Sequence, residues 1–308
     1  MKPNLQLLDP GSPAPVTRSR VDGPVESLSF QRKALLFAEL ADVSYYSRAV
    51  SGELAHTMGF PDTRFYEMEG AQAYVFANEH DAIVTCRGTE PHEWIDIETN
   101  LDAVMAVGES VGRVHRGFKT EVDRLWPRLE QALTSNTRPV WFTGHSLGGA
   151  MAAICAGRCR LSFIQSSPRA VFTFGSPRIG NRRYVNHVRL EYYRFVNNND
   201  IVPQVPPAWC GYRHSGKQVY INSDGRISRV VGWNQSKDRW RGFWRGLRRW
   251  KLDHFSDHAI GNYIEAIRLA VDDERKQRFV DLGAFSAWPD AEPIAVAAGM
   301  QGSTRRAA

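Results

Sequence analysis

The sequence predicts an α/β fold with a mostly parallel central sheet flanked by helices. Apolar strand-like runs alternate along the chain with amphipathic helical stretches, which is the pattern of such a sheet. Polar loops follow two of the later strands, at the sheet edge where open α/β folds place ligand-facing residues. With 308 residues, 43% of them hydrophobic, the chain can bury one large core, so we expect one principal domain.

The elements of the first half follow from local patterns. The first amphipathic stretch, Phe30–Tyr46, predicts a helix. The short apolar runs Ala73–Ala77 and Asp81–Cys86 predict two strands, and the polar residues 78–80 between them predict a hairpin turn. From Val114 to Leu133 apolar side chains recur at helical spacing, which predicts a second helix with one buried face.

The second half continues the alternation. The apolar run Pro139–Thr143 predicts a buried strand, and the small residues of Leu147–Ala156 predict a closely packed helix after it. Ala170–Phe174 and Tyr192–Val196 predict two further strands, each of which ends at a polar loop. The stretch His258–Ile267 predicts a helix with His258 at its start.

A serine between glycines stands where the strand at residues 139–143 becomes a helix. Residues 144–149 are Gly-His-Ser-Leu-Gly-Gly, and this strand, turn and helix is the context that a G-x-S-x-G nucleophile elbow requires. We expect the hydroxyl of Ser146 to lie over the carboxyl end of the sheet, with the Leu147 N–H free to face an oxyanion. The pentapeptide alone is equally compatible with an ordinary glycine-rich turn.

A nucleophilic serine needs an imidazole to take its proton and a carboxylate to orient that imidazole. The elbow fold orders these groups as serine, acid and histidine along the chain. Asp200, after the strand at Tyr192–Val196, and His258 are the candidates that fit this order with Ser146. The alternatives are His254 as the base and Asp253 or Asp257 as the acid.

Several ordered motifs together resemble one family, the class 3 lipases, which are α/β-hydrolases of the fungal triacylglycerol lipase type. The motifs are Cys86-Arg87-Gly88-Thr89-Glu90, Val114-His115-Arg116-Gly117-Phe118, Gly144 to Gly149, Phe174 to Asn181, the Asn-Asn-Asp-Ile-Val-Pro run that ends at Pro203, and Asp257-His258 followed by Tyr263. This resemblance spans roughly residues 30 to 270.

The resemblance implies an α/β-hydrolase fold with a nucleophile elbow, a lid segment and a triad of Ser146, Asp200 and His258. It also implies an oxyanion hole formed by the N–H groups of Leu147 and Thr89. The segment after Thr89, about Glu90 to Leu101, would be the lid. That segment is rich in acidic and polar residues, which is compatible with smaller or more polar esters than insoluble fat. His115 and His145 belong to the motifs, and we assign them to structure.

Residues Lys237 to Lys251 predict a basic aromatic helix. They carry seven basic residues and one acidic residue, so their net charge of +6 equals that of the whole chain. Tryptophan, phenylalanine and leucine side chains fall on one arc, and Arg241, Arg245, Arg248 and Arg249 fall on the opposite side. The pattern fits a peripheral contact with an anionic membrane, and it fits equally an aromatic face packed on the domain with solvated arginines. Nucleic acid is not an expected partner, because the basic charge is confined to one segment.

The ends of the chain predict flexible segments at residues 1–25 and 281–308 around a catalytic domain at 26–280. The proline-rich start has no continuous apolar region of a signal peptide, and no apolar run reaches the ~20 residues of a membrane span, so the expected location is cytoplasmic. The four cysteines are expected to be buried, reduced thiols.

These patterns predict a serine lipase or esterase that acts on acylglycerol or related lipid esters through an acyl-enzyme, and its chemistry requires no cofactor or metal. One alternative is a phospholipase or acyltransferase on membrane glycerolipids, which the basic aromatic helix favours. The alternative from another class is a membrane-surface binding protein with poor turnover. The presence of every expected catalytic residue type argues against the last.

Overall fold

The computed structural model describes residues 17–88, 103–162, 164–198, 200–222, 224–228 and 258–286, with side chains through residue 277. The chain divides into two compact units, Met1–Val271 and Asp272–Ala308. The sheets and the candidate site belong to the first unit.

Strands and helices alternate in the described residues as the sequence predicts. The strands are β1 Asp62–Met68, β2 Ala71–Ala77, β3 Ala82–Cys86, β4 Met105–Val107, β5 Arg113–His115, β6 Val140–His145, β7 Pro168–Phe174, β8 Gly180–Asn181, β9 Tyr192–Asn197, β10 Tyr212–Arg213, β11 Lys217–Ile221 and β12 Ile227–Ser228. The helices are α1 Phe30–Val43, α2 Arg48–Thr57, α3 Arg116–Thr134, α4 Leu147–Leu161, α5 Arg182–Val188 and α6 Ile260–Ser286, with short 3-10 turns at Val25–Ser27, Val202–Gln204 and Ala208–Cys210.

The main sheet has eight strands in the order β1, β2, β3, β6, β7, β9, β11, β12. The central run from β3 to β11 is parallel, while β1 and β2 at one edge and β12 at the other are antiparallel. A second, small antiparallel sheet joins β10, β8, β5 and β4. The predicted fold class, a mostly parallel central sheet flanked by helices, is therefore confirmed.

The core lies on both faces of the main sheet because side chains alternate along each strand. On β2, Ala73 and Val75 pack with residues of α3 and α4, whereas Tyr74 and Phe76 pack with residues of α1 and α6. Burying one large apolar side chain of this kind contributes roughly 1.5–3 kcal/mol to folding. Because the central strands are parallel, their carboxyl ends lie at the same edge of the sheet.

The start of α3 differs from the predicted helix at Val114–Leu133. Val114 is a strand residue, paired with Gly180 of β8 and Ala106 of β4, and the helix begins at Arg116. His115 is the N-cap, since its ring accepts a hydrogen bond from the Phe118 N–H at 3.4 Å. Val114 lies four residues before the buried Phe118, so apolar residues keep their helical spacing across the end of β5. The sequence pattern alone therefore did not show where the strand ends and the helix begins.

Residues 17–25 differ from the predicted flexible N-terminal segment of residues 1–25. Val21 and Val25 are buried, and the Val21 N–H donates to the Met58 carbonyl at 3.0 Å. Arg18 forms an ion pair with Asp42 at 2.7 Å. Two valines and one salt bridge anchor this stretch although its composition is mostly polar and proline-rich.

The last helix, α6, runs to Ser286, so the boundary predicted at residue 281 falls inside it. Glutamate, lysine and arginine residues of good helix propensity stand in this part, with i,i+3 ion pairs from Asp272 to Arg275 and from Asp273 to Lys276. Although α6 has 27 residues, neither it nor any other described helix is long and apolar enough to cross a membrane.

Candidate active site

Ser146 occupies a sharp turn between β6 and α4. Its backbone has φ 59° and ψ −131°, a region that costs a residue with a side chain about 1–3 kcal/mol. Its N–H donates to the Phe174 carbonyl at 2.9 Å, and its carbonyl accepts from the Gly149 N–H at 3.0 Å. The turn is thus fixed by the neighbouring strand β7 and by the first turn of α4, as the predicted elbow requires.

Two glycines allow the strand and the helix to approach each other at this turn. A Cβ atom on Gly144 would lie 2.4 Å from the carbonyl carbon and oxygen of Gly148. A Cβ atom on Gly148 would lie 2.2 Å from the carbonyl oxygen of Cys86 on β3. Both distances are far below van der Waals contact, so any side chain would force backbone apart.

The structure brings the three predicted triad residues into one line of hydrogen bonds. The Oγ atom of Ser146 lies 2.8 Å from Nε2 of His258, and Nδ1 of His258 lies 2.8 Å from Oδ2 of Asp200. Each of the three residues is only 1% exposed. In this arrangement Nδ1–H donates to the carboxylate, which leaves Nε2 to accept the serine proton.

Asp200 is held by donors to both carboxylate oxygens. The Val202 N–H donates to Oδ1 at 2.9 Å, and the Tyr263 hydroxyl donates to Oδ2, the oxygen that also accepts from His258. The Tyr263 oxygen in turn accepts from the Asn197 N–H at 3.1 Å. These bonds stabilise the ionised carboxylate and fix its orientation. Tyr263 stands in one of the sequence motifs, but its role becomes visible only through this contact.

Gly175 provides the close approach of the acid and the base. Its φ is +60°, and a Cβ atom there would lie 2.7 Å from Oδ2 of Asp200 and 2.8 Å from Cε1 of His258. A side chain at this position would displace one of them. Gly175 is not among the predicted site residues, because its position in the sequence does not reveal how near the two side chains come.

His258 precedes α6 rather than opening it, since the helix begins at Ile260. Its carbonyl oxygen lies 2.7 Å from Nε2 of His145, the residue before the serine. Because a carbonyl only accepts, Nε2 of His145 carries the proton, and Nδ1 accepts from the Tyr45 hydroxyl at 3.0 Å. Burial, together with the neighbouring His258, holds the pKa of His145 well below its usual range.

Leu147 is the first residue of α4, where an N–H has no acceptor within the helix. It therefore lies where the predicted oxyanion donor should be. Gly88 lies against the same turn, since a Cβ atom on it would be 3.3 Å from the Gly148 nitrogen and 2.7 Å from the His145 carbonyl oxygen.

Other predicted features lie outside the described residues. They are the second donor Thr89, the lid at Glu90–Leu101, the basic aromatic helix at Lys237–Lys251, and the alternatives Asp253, His254 and Asp257.

Three of the four cysteines are buried, and two of them have raised pKa values. Cys86, Cys155 and Cys159 are buried, whereas Cys210 is exposed, contrary to the expectation for all four. The hydrogen bond to Cys155 and burial raise the pKa of Cys86 well above its usual value, and burial raises that of Cys159 to about 12.

Within the described part of the chain, no three His, Cys, Asp or Glu side chains are grouped so that they could hold a metal ion.

Comparison with known proteins gives the same family as the motifs. Residues 83–209 match the family model described as lipase (class 3), so the resemblance is confirmed over this segment. A lipase of Rhizopus niveus is 35% identical over 125 residues, which cover 36% of this chain and 31% of that protein. A secreted mono- and diacylglycerol lipase of Fusarium solani is 30% identical over 168 residues, covering 50% of this chain and 48% of its own.

The curated relatives are thus matched over about a third to a half of their lengths. The solved structure described next is matched over a larger share of its length. A triacylglycerol lipase whose catalytic centre is formed by a serine protease triad superposes with a TM-score of 0.54 and 26% identity. The superposition covers 63% of this chain and 82% of that one. The α/β-hydrolase fold expected from the motifs is thereby confirmed.

Proposed function

From the premise that residues 83–209 are a class 3 lipase segment, we propose that the chain is a serine carboxylic-ester hydrolase acting on acylglycerol or related lipid esters. The observation that carries this proposal is the line of two 2.8 Å hydrogen bonds from Ser146 through His258 to Asp200. Relatives named lipase and mono- and diacylglycerol lipase support the substrate class.

Acylation begins with Ser146. As its Oγ attacks the ester carbonyl carbon, Nε2 of His258 takes the hydroxyl proton, and the imidazolium is stabilised by the Asp200 carboxylate. The tetrahedral intermediate collapses when His258 returns that proton to the leaving alcohol, which leaves an acyl-Ser146 ester. Because the hydrogen bonds already exist before substrate binds, little reorganisation is needed at the moment of reaction.

The developing oxyanion needs donors on the other side of the carbonyl. The N–H of Leu147 is one donor, helped by the positive end of α4, and Thr89 supplies the second. Removing one such donor raises the barrier by about 3 kcal/mol in serine hydrolases. A water molecule activated by His258 then attacks the acyl-enzyme and releases the acid.

The test is hydrolysis of p-nitrophenyl esters from acetate to palmitate, and of mono-, di- and triacylglycerols, by the wild type and by Ser146→Ala. We expect activity in the wild type and loss of at least a thousand-fold in the variant. The matched control is Ser162→Ala at the other end of α4, whose hydroxyl donates to the Cys159 carbonyl, and it should keep full activity.

A phosphonate ester that carries a fluorophore provides a second measurement, because it labels an activated serine without turnover. Labelling of the wild type but not of Ser146→Ala is the expected result. A wild type that neither hydrolyses any ester nor reacts with the phosphonate would overturn the proposal. Release of fatty acid from phosphatidylcholine at a rate above that from acylglycerols would move the substrate to membrane phospholipids.

The proposal includes a peripheral contact between Lys237–Lys251 and anionic lipid. Seven basic residues beside tryptophan and phenylalanine side chains support it. Sedimentation with vesicles of 30% phosphatidylserine tests it, with Arg245, Arg248 and Arg249 changed to Ser. Binding that weakens in the variant and with added salt is expected, whereas equal binding of both proteins would contradict it.

A further inference from the structure

We infer that His145 is a positioning residue, which holds the general base in place by donating to the backbone carbonyl of His258 while Tyr45 fixes its tautomer. This inference rests on the proposed function. The sequence motifs include His145 without a role of its own, and the proposed triad does not involve its ring.

The contact joins the residue before the nucleophile to the backbone of the base. His145 is covalently joined to Ser146, and its Nε2 lies 2.7 Å from the carbonyl oxygen of His258. The hydrogen bond thereby couples the end of β6 to the segment before α6, two pieces of chain 113 residues apart in sequence. A shift of the His258 backbone away from His145 would lengthen the 2.8 Å hydrogen bond between Ser146 Oγ and His258 Nε2.

Tyr45 determines which nitrogen of His145 carries its proton. The hydroxyl lies 3.0 Å from Nδ1, and the two rings meet edge to face with centroids 5.9 Å apart. When the hydroxyl donates to Nδ1, the proton of the neutral ring is placed on Nε2, where the His258 carbonyl needs it. Without that donor both tautomers become accessible, and the wrong one sets a lone pair against the carbonyl oxygen.

The neutral state of His145 matters for the reaction. The ring centroids of His145 and His258 are 4.5 Å apart, and those of His145 and Tyr263 are 6.2 Å apart. The guanidinium carbon of Arg87 lies 5.8 Å from the centroid of the Tyr45 ring. When His258 becomes an imidazolium, a charged His145 would oppose it, whereas a neutral N–H donor does not. Burial of His145, which is 3% exposed, favours that neutral form.

Tyr45 also contacts the segment that leads to the second oxyanion donor. Its hydroxyl would lie 2.5 Å from a Cβ atom on Gly88, the residue before Thr89. The Tyr45 hydroxyl therefore lies against Gly88, which precedes the predicted oxyanion donor Thr89. The same hydroxyl is hydrogen-bonded to His145, which in turn holds the backbone of His258. Its removal should disturb positioning rather than substrate affinity.

The kinetic test compares His145→Leu, which removes the donor, with His145→Gln, whose amide nitrogen occupies the place of Nε2. We expect kcat to fall about 10- to 100-fold in the leucine variant, with KM within about twofold, because misplacement of a catalytic group affects the chemical step. The glutamine variant should recover most of the loss. His115→Gln is the matched control, since His115 is another buried histidine, which caps α3, and its loss should leave kcat near the wild-type value.

Three results would overturn the inference: an unchanged kcat in His145→Leu, a glutamine variant no better than a folded leucine variant, or the same loss in His115→Gln. If the leucine variant does not fold, the comparison of His145→Gln with Tyr45→Phe replaces it, and the phenylalanine variant should lose more kcat. Circular dichroism and thermal melts of each variant show which case applies.

Nitrogen-15 NMR of the imidazole rings tests the tautomer without any substrate. The wild type should show His145 protonated at Nε2 alone at neutral pH, and Tyr45→Phe should shift its Nδ1 resonance. A proton on Nδ1 in the wild type would overturn the inference whatever the enzyme hydrolyses. Conversely, a wild type inactive on every ester but with the expected tautomer would refute the proposed function, while the hydrogen bond would stand.

Discussion

Tyr263 and His258 donate to the same carboxylate oxygen of Asp200. The tyrosine hydroxyl and Nδ1 of the histidine both reach Oδ2, while Oδ1 accepts the Val202 N–H at 2.9 Å. Tyr263 is on α6, just after the histidine, so one short stretch of chain supplies two donors to the acid. Residues 258–263 therefore hold the Asp200 carboxylate in place, and that carboxylate in turn orients the His258 ring.

The Tyr263→Phe variant should lower kcat by roughly 10- to 100-fold with little change in KM. A hydrogen bond to a charged group contributes about 1.5–3 kcal/mol, and its loss leaves the carboxylate less firmly oriented. Steady-state kinetics on p-nitrophenyl butyrate measure the effect. The control is Tyr184→Phe, because the buried Tyr184 hydroxyl has no hydrogen-bond partner among the described residues. Equal losses in the two variants would contradict a role at the acid.

Replacing Gly148 by Ala should destabilise the protein by about 3 kcal/mol or more. The added methyl group would lie 2.2 Å from the Cys86 carbonyl oxygen. Relieving this clash would require a shift of the backbone of a central strand, which costs free energy of folding. Urea denaturation gives the free energy of unfolding. Gly52→Ala in α2 is the matched control, because nothing lies within 4 Å of its Cβ position. It should stabilise the protein by up to about 1 kcal/mol, and a destabilised control would contradict the argument.

The free energy of unfolding should fall as pH drops below about 6.5, in part because of His145. Its folded pKa is well below the 6.5 of an unperturbed histidine, so in this window the unfolded chain binds a proton that the folded chain does not. Stability is therefore fully present above pH 6.5 and is lost at up to about 1.4 kcal/mol per pH unit below it. Urea denaturation at several pH values should give a slope smaller by about one proton in His145→Gln. An unchanged slope would show that His145 titrates normally.

Thiol labelling should distinguish Cys210 from the other three cysteines. Cys210 is exposed in the native protein, whereas Cys86, Cys155 and Cys159 are buried. A thiol reagent should titrate one cysteine rapidly in the folded protein and all four in guanidinium chloride. Cys210→Ser should abolish the rapid phase. Rapid labelling that persists in the serine variant would show that a buried thiol is accessible.

The sequence was informative where chemistry is local. Gly144, Ser146 and Gly148 predicted the elbow, because steric demands at a strand-to-helix turn depend on residues next to one another. The chain order of the acid and the base followed from the same motif. The structure brings these residues together, and their catalytic roles stay a prediction until the kinetic tests are made.

The contacts around the Ser146, His258 and Asp200 side chains could not be predicted, because they join residues that are far apart in the sequence. Tyr45 and His145 are 100 residues apart, and no periodicity or motif connects them. Gly175 looks like an ordinary loop glycine until its φ of +60° and its nearness to Asp200 are seen. In the same way the N-terminal valines Val21 and Val25 have no pattern of their own, and only tertiary packing shows that they are buried.

Ser146 and His258 are separated by 112 residues, and Asp200 and His258 by 58. Contacts of such high sequence separation form only after the cost of closing long loops has been met. The hydrogen bonds among Ser146, His258 and Asp200 therefore require the complete tertiary fold, and a partly ordered chain with helices alone would not form them. The proposed ester hydrolysis would then report on the completed fold, and its recovery on refolding should follow, rather than accompany, the return of secondary structure.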